Sequence, residues 1–295
     1  MRALITGGSG YFGSLLVKRL LLNNWKCKIL DINEFYGSKE VEFIKGDIRN
    51  NELLNKVCKN IDIVFHNVAQ VPLVKDKALF DSVNIDGTLN ILNASRKCGV
   101  KKVIYTSSSA VYGIPSSNPV TENMIPNPKE DYGQAKYIAE TKCLDFISDE
   151  LDIIIIRPRT ILGHGRLGIF QILFEWIKSG YNIPVLGNGN NIYQFLHADD
   201  AALAFGGIIG KKHCIGQNYI LTSQEATNWR DYHNMAMEIV GKQVELVQVP
   251  FSNLKKLNIP NLDLLNNIFS KDIYYSCKKI VKDVPEFKPK YLIKE

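Results

Sequence analysis

The chain has 295 residues, 45% hydrophobic and 22% charged, which is ordinary for a globular protein and enough for a sizeable core. Its 36 Lys+Arg against 30 Asp+Glu give a net charge of +6 without a long basic run, which argues against nucleic acid and is compatible with an anionic substrate. The six cysteines, at 27, 58, 98, 143, 214 and 277, show neither CxxC nor metal-ligand spacing. No zinc or redox motif is therefore expected, reduced thiols in the cytoplasm fit best, and no apolar run reaches membrane-spanning length.

Ala3-Leu4-Ile5 reads as a buried strand that runs straight into Thr6-Gly7-Gly8-Ser9-Gly10-Tyr11-Phe12-Gly13. With the first strand this close to Met1, no signal peptide is expected. Gly7, Gly10 and Gly13 stand at the exit of that strand, before a helix predicted over 11–23 with Leu15, Leu16, Leu20 and Leu21 on one side. Glycine suits a turn whose backbone angles exclude side chains and which must let a pyrophosphate approach bare N–H groups at a helix N-terminus. Lys26 to Asp31 reads as the second strand, with an acid at its end. Asp31 can accept hydrogen bonds from both adenosine ribose hydroxyls and would repel a 2′-phosphate, so NAD is expected rather than NADP. The plainer reading is that Asp31 opens the turn Asp31-Ile32-Asn33.

Further strands are predicted at Val41–Ile44, Ile61–His66, Lys102–Thr106 and Ile153–Ile156, with helices near 51–58, 78–98 and 132–148. Short apolar strands alternating with helices predict an α/β fold: a Rossmann-type, doubly wound parallel sheet covered on both faces. After residue 157 the pattern loosens. A helix near 168–179, a strand around Gln194–His197 and helices near 199–209 and 228–240 read as a smaller substrate-binding cap. Residues 1–157 are thus expected to bind the dinucleotide, and residues 158–295 to form mainly the cap, with some segments returning to the core. His66 and His197, in or at the end of apolar strands, are expected to be structural hydrogen-bonding residues.

Ser107-Ser108-Ser109 closes the fifth strand, at the ligand-facing edge of the sheet. Tyr132 and Lys136 are four apart on a helix and so share a face. A free tyrosine is a poor base at neutral pH, and a nearby ammonium together with the positive nicotinamide of NAD⁺ is expected to lower its pKa toward the working range. A serine hydroxyl opposite could bond the same substrate oxygen, giving a site that removes a proton from an alcohol as hydride leaves.

With these residues in order, the chain resembles the extended short-chain dehydrogenase/reductase superfamily, in its NAD-dependent epimerase/dehydratase family. Supporting stretches are the Thr6–Gly13 turn, Gly46-Asp47-Ile48-Arg49, His66-Asn67-Val68-Ala69, Asn84-Ile85-Asp86-Gly87-Thr88, Ser107–Gly113, Tyr132 with Lys136, Arg157-Pro158, and Phe195 to Asp200. The resemblance implies that Gly7, Gly10, Tyr11, Phe12 and Gly13 hold the pyrophosphate of NAD and Asp31 the ribose. Asp47 and Ile48 would flank the adenine. Val68, Ala69, Gln70, Ser107, Tyr132, Lys136 and Pro158 would line the cofactor, with Asn84 near it as a structural and water-positioning residue. Ser108, Tyr132 and Lys136 would be catalytic, no metal is implied, and a homodimer through the helices at 78–98 and 132–148 is implied.

The departures bear on the substrate. Dehydratases of this family follow the catalytic Ser/Thr with Asp-Glu; here Ser109 and Ala110 stand there. Sugar-nucleotide members usually carry Asn where this chain has Thr160, and commonly an Arg where it has Tyr193. Arg159 and Arg166 could meet phosphate oxygens instead, which makes Ser109, Arg159, Thr160, Arg166 and Tyr193 the candidate substrate residues. The expected activity is that of an NAD-dependent sugar-nucleotide epimerase or keto-reductase, without dehydration. The alternative is a dehydrogenase of a non-nucleotide alcohol, similar to 3β-hydroxysteroid dehydrogenases; a non-catalytic NAD sensor would not need the Tyr/Lys pair.

Overall fold

A computed structural model of the protein describes residues 1–70, 77–148, 151–164, 170–254 and 271–290. Its strands are β1 (Arg2–Thr6), β2 (Lys26–Asp31), β3 (Glu42–Lys45), β4 (Ile63–His66), β5 (Lys102–Thr106), β6 (Asp152–Pro158), β7 (Ile161–Leu162), β8 (Ile183–Leu186), β9 (Ile192–Tyr193), β10 (Leu196–His197), β11 (Asn218–Leu221), β12 (Thr227–Asn228) and β13 (Leu246–Val249). The main helices are α1 (Tyr11–Leu22), α2 (Asn51–Val57), α3 (Lys77–Asp81), α4 (Gly87–Lys97), α5 (Asp131–Asp145), α6 (Phe170–Ser179), α7 (Ala198–Gly207) and α8 (Trp229–Val240).

Seven strands form one sheet in the order β3-β2-β1-β4-β5-β6-β11, and every pairing is parallel. Alternation along each strand feeds two cores. Ala3, Ile5, Ile154 and Ile156 face α1 and α7, whereas Leu4, Ile153 and Ile155 face α2, α4 and α5. This is why the strands read as continuous apolar runs. The cap has its own cluster, with Leu173, Ile177, Phe195, Trp229, Tyr232 and Met237 buried between α6 and α8.

Several elements depart from the expectation. The helix predicted over 78–98 is broken: α3 ends at Asp81, a π turn spans Ser82–Asp86, and α4 starts at Gly87. The wide turn lets Asn84 reach the Gln70 peptide, and a Cβ on Gly87 would crowd Ile48 at 2.6 Å. Such bulges concentrate near functional sites. The strand expected at Gln194–His197 is split into β9 and β10, because Gln194 turns inward to accept from Tyr275 N at 2.6 Å. The strand β11 was not foreseen; it pairs with β6 at the sheet edge. Residues beyond Pro250 also return, placing Ile280, Val284 and Phe287 in the core beside Leu16 and Phe205.

Candidate active site

The strand order reverses between β1 and β4, the point at which open parallel sheets take ligands at their carboxyl ends. That crevice is pinned by a buried relay. Thr6 Oγ1 lies 2.7 Å from His66 Nδ1, His66 Nε2 lies 3.0 Å from Thr88 Oγ1, and Thr88 donates to Asn84 O at 2.8 Å. Since the Thr88 proton goes to Asn84, His66 must donate from Nε2 and accept at Nδ1. Burial keeps the ring neutral, pushing its pKa down to about 3. Both His66 and His197, which caps α7 by accepting from Asp199 N at 3.2 Å, have structural roles.

Gly7 takes the left-handed φ of +72°, and a Cβ there would lie 3.0 Å from Val68 N. A Cβ on Gly13 would collide with Gly7 O. The helix α1 opens at Gly10 with no side-chain cap and no acidic residue in its first turn, whereas α2 and α8 are capped by Asn50 and Asn228. The N-terminus of α1 thus presents the positive end of its dipole without a competing cap or acid, an arrangement that suits an anion. Asp31, 8% exposed, accepts from Ser9 N at 3.0 Å and from Asn33 N at 2.9 Å. It thus opens the following turn and braces the glycine turn at once, and each carboxylate oxygen keeps a lone pair for a ribose hydroxyl.

Val68, Ala69 and Gln70 leave β4 half-buried. Asn84 is anchored, its Oδ1 accepting from Gln70 N at 2.8 Å and its Nδ2 donating to Gln70 O at 3.3 Å, a structural role that leaves one N–H and one lone pair for a further partner. Asp47 is committed to Arg49, whose Nε and Nη2 lie 2.9 and 2.6 Å from its two oxygens and hold its carboxyl below the usual range. Ile48 is buried against Gly87. Ser107 Oγ is buried without a hydrogen-bond partner. An uncapped helix, a turn closed to side chains, a buried acid and an orphaned hydroxyl fit a dinucleotide.

The catalytic candidates meet beside that crevice. Ser108 caps the short turn Ser109–Tyr112, accepting from Ala110 N at 3.1 Å, and its hydroxyl bonds Tyr132. Lys136 is 2% exposed, and its Nζ donates to Thr106 O at 2.8 Å. The ammonium lies 4.9 Å from the Tyr105 ring centroid and 6.0 Å from that of Tyr132. The expected depression of the phenol pKa is not what the protein alone produces. Burial pushes Tyr132 up to about 12, partly offset by the Ser108 bond, and lowers Lys136 to about 8. Desolvation outweighs the ammonium here, so lowering the phenol requires further positive charge close by.

A buried ion pair sets this helix against the sheet. Arg157 on β6 meets Glu140 on α5 through Nε–Oε1 at 2.8 Å and Nη2–Oε2 at 2.6 Å. Its Nη1 donates to Tyr112 Oη at 2.7 Å and to Asn218 Oδ1 at 3.2 Å. Glu140 stands one turn beyond Lys136, and Tyr112 ends the turn that Ser108 caps. One guanidinium thus ties together the two segments that carry the triad.

Across the cleft, Pro158 ends β6, and Arg159 and Thr160 follow. The Arg159 guanidinium stacks 4.0 Å from the Tyr193 ring centroid and 5.0 Å from that of Tyr275. Thr160 Oγ1 lies 3.0 Å from Tyr193 Oη. Ser109, 3% exposed, bonds the Tyr275 hydroxyl. Of the candidate substrate residues, Ser109, Arg159, Thr160 and Tyr193 come together, and Arg166 lies outside the described residues.

The model of the NAD dependent epimerase/dehydratase family matches residues 3–219. The chain belongs to this family. It is 53% identical over 204 residues to Uncharacterized protein y4nG of Sinorhizobium fredii, covering 68% of this chain and 52% of that one. It therefore spans about half the length of that relative. It is 31% identical over 265 residues to UDP-glucose 4-epimerase of Mycolicibacterium smegmatis, covering 82% of this chain and 83% of that one. The fold superposes on UDP-glucuronic acid 4-epimerase from Bacillus cereus, crystallised with NAD, with a TM-score of 0.85 at 23% identity, covering 100% of this chain and 95% of that one.

The cofactor of this epimerase/dehydratase family member is NAD. The geometry adds residues that the sequence reading did not place in the site. Glu140 carries no motif of its own, and Tyr112 lies in the Ser107–Gly113 stretch without a role assigned to it; the hint to both was Arg157 in Arg157-Pro158. Tyr275 was missed because it lies in a tail with no periodic pattern, 81 residues from Gln194, the side chain that receives its backbone N–H.

Proposed function

We propose that the protein is an NAD-dependent sugar-nucleotide epimerase or keto-reductase. Residues 1–157 would hold the cofactor and residues 158–295 would mainly form the substrate cap. The observation that carries this reading is Ser108, Tyr132 and Lys136 converging at the carboxyl edge of the sheet. When bound, NAD supplies the hydride acceptor and donor. Tyr132 takes the proton of the sugar hydroxyl and later returns it, and Ser108 bonds the same oxygen. Lys136 has one of its three N–H donors on Thr106 O and two left for the cofactor ribose and the phenol.

Dehydration is not part of this reading. Elimination of water needs an acid and a base beyond the tyrosine. Ser109 is engaged with Tyr275, Ala110 has no proton to give, and Glu122, the next acid along the chain, has Oε1 on Ile220 N at 2.9 Å. A homodimer through α4 and α5 belongs to the same reading, supported by Ile138 and Leu144, 41% and 46% exposed on α5. A cytoplasmic location does too: among the described residues no helix is long and apolar enough to cross a membrane.

The deciding experiment is a thermal-shift panel of UDP-, GDP-, CDP- and dTDP-sugars with NAD present, followed by mass spectrometry of the products. A shift with one base and a product of unchanged mass is expected for epimerisation. A change of two hydrogens means net redox. Loss of water, or no shift with any sugar nucleotide, overturns the reading.

A further inference from the structure

Arg157 lies on β6 and Arg159 follows directly after the strand ends at Pro158. Their surroundings are opposite. Arg157 is saturated by Glu140, Tyr112 and Asn218. Among the described residues no hydrogen bond or ion pair engages the Arg159 guanidinium, and its Nε is buried without an acceptor. What holds it is stacking, with Tyr193 on β9 and Tyr275 from the tail as its two platforms. Cation–π contacts fix the plane of a guanidinium without using its N–H groups, so all five donors remain available.

The platforms are themselves pinned. Tyr193 Oη lies 3.0 Å from Thr160 Oγ1. Tyr275 donates its backbone N–H to Gln194 Oε1 at 2.6 Å, and its hydroxyl bonds Ser109, the neighbour of Ser108. Arg159 is thus set in fixed relation to the catalytic serine. Arg159 is half-buried, but its Nε is closed off from water, and buried polar groups almost always find partners. An apolar alcohol offers none; an oxyanion offers a planar or tetrahedral set of acceptors that a guanidinium fork matches.

We infer that Arg159 is the anion receptor of the substrate site, held between Tyr193 and Tyr275 to take an oxyanion of the substrate, either a phosphate oxygen or a sugar carboxylate. The inference deepens the sugar-nucleotide reading and rests on it for the identity of the ligand. It also accounts for Tyr193: the tyrosine does not meet the anion but orients the arginine that does.

The test is calorimetric titration of wild type, Arg159→Gln, Arg159→Lys and Tyr193→Leu, with NAD saturating so that the α1 N-terminus is already covered. The ligands are inorganic pyrophosphate, UDP, UDP-glucose and UDP-glucuronate. Losing a charge-assisted hydrogen bond in Arg159→Gln is expected to weaken binding at least tenfold, while Arg159→Lys, which keeps charge but not the fork, retains part of the affinity. Weakening across all four ligands assigns the diphosphate, and weakening confined to UDP-glucuronate assigns the carboxylate; either supports the inference. Unchanged affinity for all four in a folded Arg159→Gln overturns it and leaves the proposed function standing. Binding of pyrophosphate that depends on Arg159, with no sugar nucleotide bound, upholds the receptor and sinks the sugar-nucleotide reading. A wild type that binds none of the four sinks both. If Arg159→Gln does not fold, Tyr193→Leu decides: affinities equal to wild type overturn the inference.

Discussion

On the sheet side of the cleft, Ser108, Tyr132 and Lys136 come from two neighbouring segments, and their supports Arg157 and Glu140 are fully paired. On the cap side, Ser109, Arg159, Thr160, Tyr193 and Tyr275 are gathered from four separate stretches, and among the described residues the guanidinium at their centre is held by ring faces. The difference separates two tasks. In the proposed mechanism the groups that move a proton must be fixed before the substrate arrives, so the residues that support them are paired internally. Groups that select a substrate must keep donors in reserve, so their orientation has to come from contacts that use none.

The largest effect expected on the sheet side is on rate. Tyr132→Phe should lower turnover of a sugar nucleotide by about 10²–10⁴-fold, typical for losing a general acid–base group. NAD binding, followed by fluorescence, should persist. Near-normal turnover in this variant would remove the tyrosine from the mechanism.

Next comes the ion pair. Arg157→Leu leaves the Glu140 carboxylate buried without its partner and should cost about 3–5 kcal/mol of folding stability in urea titrations. Replacing Glu140 by Leu as well should recover most of that loss. A single substitution costing under ~1 kcal/mol would mean that the pair does not organise α5.

The His66 relay sharpens the contrast through pH. The folded ring has its pKa pushed down to about 3 from 6.5, so between those values the unfolded chain binds a proton that the native state refuses. The contribution is complete above pH 6.5 and is lost as pH falls toward the folded value, about 3 kcal/mol by roughly pH 4. His66→Gln should flatten the stability profile across that window relative to wild type. Parallel profiles would show that the ring is protonated in the fold.

The smallest effect concerns the cofactor's ribose. With Asp31 at the end of β2, NAD should bind at least tenfold more tightly than NADP, about 1.4 kcal/mol. Asp31→Ala should narrow the preference and, because Asp31 also holds Ser9 N, should loosen the glycine turn. Equal wild-type affinities by calorimetry would refute the assignment.

How legible each side was follows from the same contrast. The sheet side depends on spacing within one element: three glycines at a strand exit, a tyrosine and lysine four apart on a helix, serines closing a strand. Such local rules can be read along the chain. The cap side depends on approach between segments far apart in sequence, such as Ser109 with Tyr275, for which no local rule exists. The helix predicted over 78–98 failed for a related reason. Nothing in Ser82–Asp86 is unfit for an α-helix, and the π turn fits the bond Asn84 makes across space to Gln70. The rise of the phenol pKa in the protein alone comes from burial of Tyr132, which is a property of its surroundings and cannot be read from its spacing to Lys136.

The return of the tail to the first core has a consequence for how the chain is made. Val284 and Phe287 are fully buried in the cluster that also receives Leu16 and Leu20 of α1. This core therefore draws on segments made far apart in the chain: α1, α7 and the stretch around Val284. Until the later segments are made, apolar residues such as Leu16 and Leu20 stay exposed, surface of the kind that invites aggregation or chaperone binding. Closure of this core thus comes after most of the sheet has been synthesised.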